Sequence, residues 1–188
     1  IDMSILKAGE TTKVVNPQSF NVIALNNTVM PADDRESKVN FQRKVSKLQA
    51  EMGEYSRKFS EISNKMPYID EAIKKVEQPV DEISKMVWEV KQAIKEVNLK
   101  FYGDNVKSRL DIQSNLTPYS RLGSVAYYQK YSTAAPTKTH MDSYEIAKDE
   151  FQPIKLMIDE LRVKMLDLEN RLKEMGAAYT PGRPKAIN

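Results

Sequence analysis

The sequence predicts a mainly α fold: an elongated antiparallel three-helix bundle with long heptad-patterned helices, a short helix in the crossover and a small N-terminal β element. Two apolar seams and one change of composition predict it. Phe41, Val45, Leu48, Met52, Tyr55, Phe59, Ile62 and Met66 alternate steps of four and three, and so do Tyr144, Ala147, Phe151, Ile154, Ile158, Leu161, Met165, Leu168, Leu172 and Met175. A seam that repeats every 3.5 residues needs a partner helix to cover it. The first thirty residues lack that period, so residues 1–30 read as the terminal strands of a β-domain or as a linker, and 31–188 as the helical bundle.

In the N-terminal part, Thr11 to Val15 and Ser19 to Leu25 are rich in Val, Ile, Phe and Thr and are separated by Asn16-Pro17. They predict two short strands, or one strand and its lead-in. A lone hairpin is marginal in water, so these residues are expected to close a β-domain whose other strands lie elsewhere or to lie on the helices. Asn26 to Pro31 reads as a linker. Asp33, with Glu36 three residues later, is an acidic version of the capping box and opens the first long helix.

The seam runs on in phase from Met66 through Ile69, Ile73, Val76, Val80, Ile83, Val87, Val90, Ile94 and Val97 to Phe101, interrupted by Pro67 and Pro79. Either proline can begin a new helix after a reversal or merely kink an old one. Reversal at Pro79 sets Asp81 and Glu82 in a new first turn, where the helix dipole favours acids, and gives helices at about 33–77 and 79–101. Gly103 then stops the second. The stretch from Tyr102 to His140 is too long for a bare connector. Thr117-Pro118 is a cap followed by proline at the first helical position, so a short helix is expected at about 118–131. The last helix is predicted at about 142–175, with Thr139 or Asp142 as cap, a kink at Pro153 and a stop at Gly176.

Twenty-nine basic and twenty-six acidic residues leave a net charge of +3, interspersed along the helices. No segment gathers the basic stripe that nucleic-acid binding needs, so no nucleic-acid partner is expected. The chain has no cysteine, which excludes disulfides, zinc-thiolate sites and thiol nucleophiles. Val14 to Ala32 carries no charge, but Pro17, Pro31, Gln18 and four asparagines argue against a transmembrane segment. The start at Ile1 suggests a piece of something longer.

Candidate chemistry is sparse. His140 is the only histidine, and Thr137 occupies the place three before it where a helix-borne metal site would put glutamate; a capping or loop role is expected, with no metal and no cofactor. The pairs Asp33-Asp34, Asp70-Glu71, Asp149-Glu150 and Asp159-Glu160 invite a glycosidase reading. Neighbours on a helix diverge by about 100°, so they read as solvent-face residues. Tyr119, Tyr127, Tyr128 and Tyr131 concentrate aromatic rings in the crossover, either to stack on a ligand or to seal the end of the bundle. The nine methionines read as gap-fillers, and two glycosylation sequons, at Asn26 and Asn115, are patterns short enough to arise by chance.

Several stretches taken in order resemble a known group. They are Ser19-Phe20-Asn21-Val22 running into Asn27-Thr28-Val29-Met30-Pro31-Ala32-Asp33, Phe101-Tyr102-Gly103-Asp104, Ser120-Arg121-Leu122, Ser132 to Thr137, and Ala178 to Arg183. They are similar to the C-terminal region of large bacterial secreted proteins of the BNR/Asp-box type, whose propellers resemble those of sialidases and the sortilin VPS10 domain. The resemblance implies a secreted, periplasmic or cell-surface address, a propeller elsewhere in the parent chain as partner, and a reversal near Glu77-Gln78-Pro79. No Asp-box occurs here, so it carries over no catalytic residue. The expected function is a non-catalytic structural or scaffolding domain of such a glycoside-hydrolase-like protein. Its alternative is a protein-interaction or self-assembly module, with Tyr119, Tyr127, Tyr128, Tyr131 and Arg183 as the surface.

Overall fold

The computed structural model describes residues 3–23, 33–76, 81–177 and 181. The chain divides into two units, Ile1–Pro31 and Ala32–Asn188. In the first, β1 (Met3–Lys7) and β2 (Glu10–Val15) form an antiparallel two-stranded sheet with Ile5 opposite Thr12 and Lys7 opposite Glu10. Ala8 and Gly9 both take positive φ, 52° and 85°, which is the two-residue turn whose twist suits a hairpin. That turn corrects the expected strand pair. The partner of the Thr11–Val15 strand precedes it, residues 19–23 form no strand, and 24–25 lie outside the described residues.

The second unit is mainly helical: α1 (Arg35–Ile73), α2 (Asp81–Tyr102), α3 (Asn105–Arg109), α4 (Pro118–Tyr131) and α5 (Lys138–Glu174). Asp34, one residue beyond the expected cap, opens α1 by accepting the Ser37 N–H at 2.9 Å. The helix continues through Pro67, which lacks only its own N–H, and ends at Ile73. A reversal at Pro79 falls outside the described residues. Gly103 (φ 92°) ends α2, and a Cβ there would meet the Thr117 methyl at 3.2 Å. Asp104 then caps the single turn of α3, an element that five residues were too few to announce. α5 begins earlier than expected. Thr137, rather than Thr139 or Asp142, accepts the His140 N–H at 3.2 Å and adds a turn to the helix. The helix runs through Pro153 and reaches its C-cap at Met175, just before Gly176.

Nearly every seam residue is buried, from Phe41 to Met66 on α1 and from Tyr144 to Leu172 on α5, with Tyr55 half-buried. The pairs Phe41 with Tyr144, Glu51 with Lys155 (2.7 Å), Tyr55 with Asp159 (3.2 Å) and Lys65 with Glu169 (2.9 Å) keep a nearly constant offset, 103 residues for the first and 104 for the other three. Such an offset means that α1 and α5 run side by side in the same direction. α2 runs against them, since Lys91 meets Asp70 at 2.8 Å and Tyr102 donates to Ser56 at 2.7 Å. α4 continues that direction toward the start of α1, where Gln42 donates to the Gln129 carbonyl at 2.7 Å and Lys38 to that of Ser132. The aromatic residues Phe101, Phe151 and Tyr119 meet where α2 gives way to α4.

Candidate functional site

α4 presents two unlike faces. Thr117 accepts the Ser120 N–H at 3.2 Å while Ser120 Oγ accepts the Thr117 N–H at 3.0 Å, and Pro118 supplies the fixed first turn. One face then buries Pro118, Leu122, Val125 and Gln129 against α1 and α5. The opposite face carries Tyr127, Tyr128 and Tyr131, all more than half exposed. Tyr127 lies 4.9 Å from Tyr131 and 5.7 Å edge-on to Tyr128, centroid to centroid. Tyr128 stacks on His140 at 5.5 Å and 19°, and Lys130 Nζ sits 5.2 Å over the Tyr131 ring.

The structure thus brings together three of the sequence-predicted tyrosines and separates the fourth. Tyr119 packs edge-on against Phe101 at 5.7 Å and tilts on Tyr102 at 5.4 Å. Arg183 lies outside the described residues. Tyr127, Tyr128 and Tyr131 each leave more than half their surface to solvent, with Tyr128 laid on His140. His140 sits in the first turn of α5, its Nδ1 3.2 Å from Gln129 Nε2.

Beside the tyrosines, α1 and α4 enclose a cleft of about 510 Å³ lined by Gln42, Ser46, Gln49, Gly123, Tyr127 and Lys130. A second cleft, about 470 Å³, lies between the end of α2, the start of α4 and α5, with Lys100, Asp104, Asn115 and Glu150 on its walls. Arg121 Nε lies 3.6 Å from Glu150 there. Neither wall pairs a nucleophile with a base, and among the described residues no three His, Cys, Asp or Glu gather to hold a metal. Among them, too, no helix is long and apolar enough to cross a membrane.

Four members of the carboxylate pairs each have a partner of their own. Asp34 caps α1, Asp70 receives Lys91, Glu71 receives Lys74 and Asp159 accepts from Tyr55. Burial, then the Asp159 carboxylate, raises the Tyr55 hydroxyl above the usual tyrosine range, and burial followed by Glu145 does the same to Tyr144. Two polar residues escaped the sequence reading. Gln129 and Glu169 are 3% and 2% exposed, the first bonded to His140 and the second to Lys65. Gln129 was detectable, because Leu122, Val125 and Gln129 continue the three-and-four spacing of a seam.

Compared with protein-family models, curated proteins and solved structures, the chain matches none.

Proposed function

We propose that this chain is a non-catalytic scaffolding element: an elongated antiparallel three-helix bundle in which α1 and α5 are two rods and α2 with α4 shares the third. The observation that carries it is the use of the seams. Phe101, Phe151, Ile158, Leu161 and Leu168 are spent on interhelix packing, and ion pairs such as Lys91–Asp70 and Lys155–Glu51 tie helix to helix. By the resemblance of its sequence, the element belongs at the C-terminal end of a secreted or periplasmic BNR/Asp-box protein, with the propeller of that parent as its partner. Incubation with sialosides and other glycosides is expected to give no turnover; hydrolysis abolished by one carboxylate substitution would overturn the reading.

The second reading is an interaction module. The exposed rings of Tyr127, Tyr128 and Tyr131 favour it, since aromatic rings are enriched where proteins meet partners. Association that is lost in Tyr127→Ala/Tyr131→Ala, followed by light scattering over a concentration series, is expected under the second reading only.

A further inference from the structure

The solvent face of α5 carries a second heptad. Asp142, Ile146, Asp149, Pro153, Leu156, Glu160, Val163 and Asp167 continue the alternation of four and three on the side away from the buried seam, and all are exposed. Leu156 and Val163 are 64% and 68% exposed, although solvent faces of helices are ordinarily polar. The charges of this stripe all have one sign. Asp142, Asp149, Glu160 and Asp167 form no ion pair among the described residues.

The outer face of α1 is its complement. Arg43, Ala50, Gly53 and Arg57 stand on the side turned away from Phe41, Leu48 and Met52. Arg43 and Arg57 are exposed, and neither enters an ion pair among the described residues. Gly53 costs about 1 kcal/mol against alanine inside a helix. Packing within the unit does not require it, since a Cβ there would meet nothing within 4 Å. Fourteen residues put Arg43 and Arg57 about 21 Å apart, and eleven put Asp149 and Glu160 about 16 Å apart, a mismatch within the reach of arginine side chains.

The geometry points to a second copy of this chain as the partner: the acidic, aliphatic face of α5 in one copy docks on the basic, small-residue face of α1 in the next. Asp149 and Glu160 meet Arg57 and Arg43 with the helices antiparallel, so Leu156 seats beside Ala50 and Val163 falls past Arg43 toward the exposed Val39. This contact is heterologous, so it propagates along a row, closes into a ring or is made twice in a reciprocal dimer. It rests on the reading of the chain as a non-catalytic scaffolding element.

Sedimentation equilibrium on the whole chain tests it. Wild type is expected to associate with rising concentration, and at least tenfold less tightly in high salt, because screening removes the charge attraction. D149K/E160K alone and R43E/R57E alone should each weaken association tenfold or more, and an equimolar mixture of the two should restore it, since one variant then offers a basic α5 to the other's acidic α1. L156S/V163S should remove association without reversing any charge, which keeps the test valid if a charge variant fails to fold. A wild type that stays monomeric to several hundred micromolar, or association that ignores all three variants, overturns the interface. A monomer that turns over no glycoside sinks only the interface; turnover sinks the scaffold reading.

Discussion

The hairpin and the helical unit use the same kinds of side chain and obtain opposite results from them. In β1 and β2, Met3, Ile5, Leu6, Val14 and Val15 are all 45% exposed or more, whereas in the helices Ile69, Val97, Phe101, Phe151, Leu168 and Leu172 are wholly buried. Apolar content is therefore not what separates them. Two strands offer no layer to cover either face of the ribbon, while a 3.5-residue repeat on several helices of one chain supplies each seam with its own cover.

The sharpest way to break that contrast is to cut a large side chain from each region. Phe151→Ala removes a ring stacked 5.5 Å from Phe101 and edge-on to Tyr55 at 5.7 Å, and should cost about 3–5 kcal/mol in urea unfolding followed by helical circular dichroism. Ile5→Ala should leave that transition where it is.

Next is the buried charge. Lys65→Met strands the Glu169 carboxylate, 2% exposed, and should cost about 3 kcal/mol, whereas Lys65→Met with Glu169→Leu should recover most of it, because two apolar groups need no partner. Denaturant midpoints for the two variants make the comparison, and equal losses would show that the pair matters through packing alone.

A smaller effect belongs to the joint after α2. Gly103→Ala forces a side chain into φ 92° against the Thr117 methyl and should cost about 1–2 kcal/mol, read as a fall in melting temperature. The smallest effect is alkaline. Tyr55 and Tyr144 keep their protons to higher pH when folded than when unfolded. Their contribution is therefore whole below the ordinary tyrosine value of 10.0 and is lost as pH climbs through the raised folded values. Tyr55→Phe should flatten the decline of stability above pH 10, followed by thermal melts at each pH.

The helical unit was legible because burial of one stripe is enough to define a helix, and the stripe is visible residue by residue from Phe41 onward. Three features were not. Thr137, Thr139 and Asp142 all qualify as caps within six residues, and only the backbone selects the first. Ala8 at positive φ is a conformation alanine rarely takes, so nothing in Lys7-Ala8-Gly9-Glu10 advertised the hairpin as an Asn-Gly pair would have. The succession of α4 after α2 depends on contacts such as Tyr119 with Phe101, which no local pattern encodes. As for the tyrosines, sequence located the group, but whether a ring at 127 or 119 faces solvent depends on which side of α4 meets α1 and α5.

The break between α2 and α4 has a practical consequence. Leu110 to Leu116 is exposed throughout and spans the gap between two pieces that are each anchored independently, α2 by Phe101 and α4 by Leu122 and Val125. A protease nick in that stretch would leave two fragments, one carrying α1 and α2 and the other α4 and α5, clasped to each other without a covalent link. The same stretch is where a reporter sequence could be spliced in at little cost to the fold.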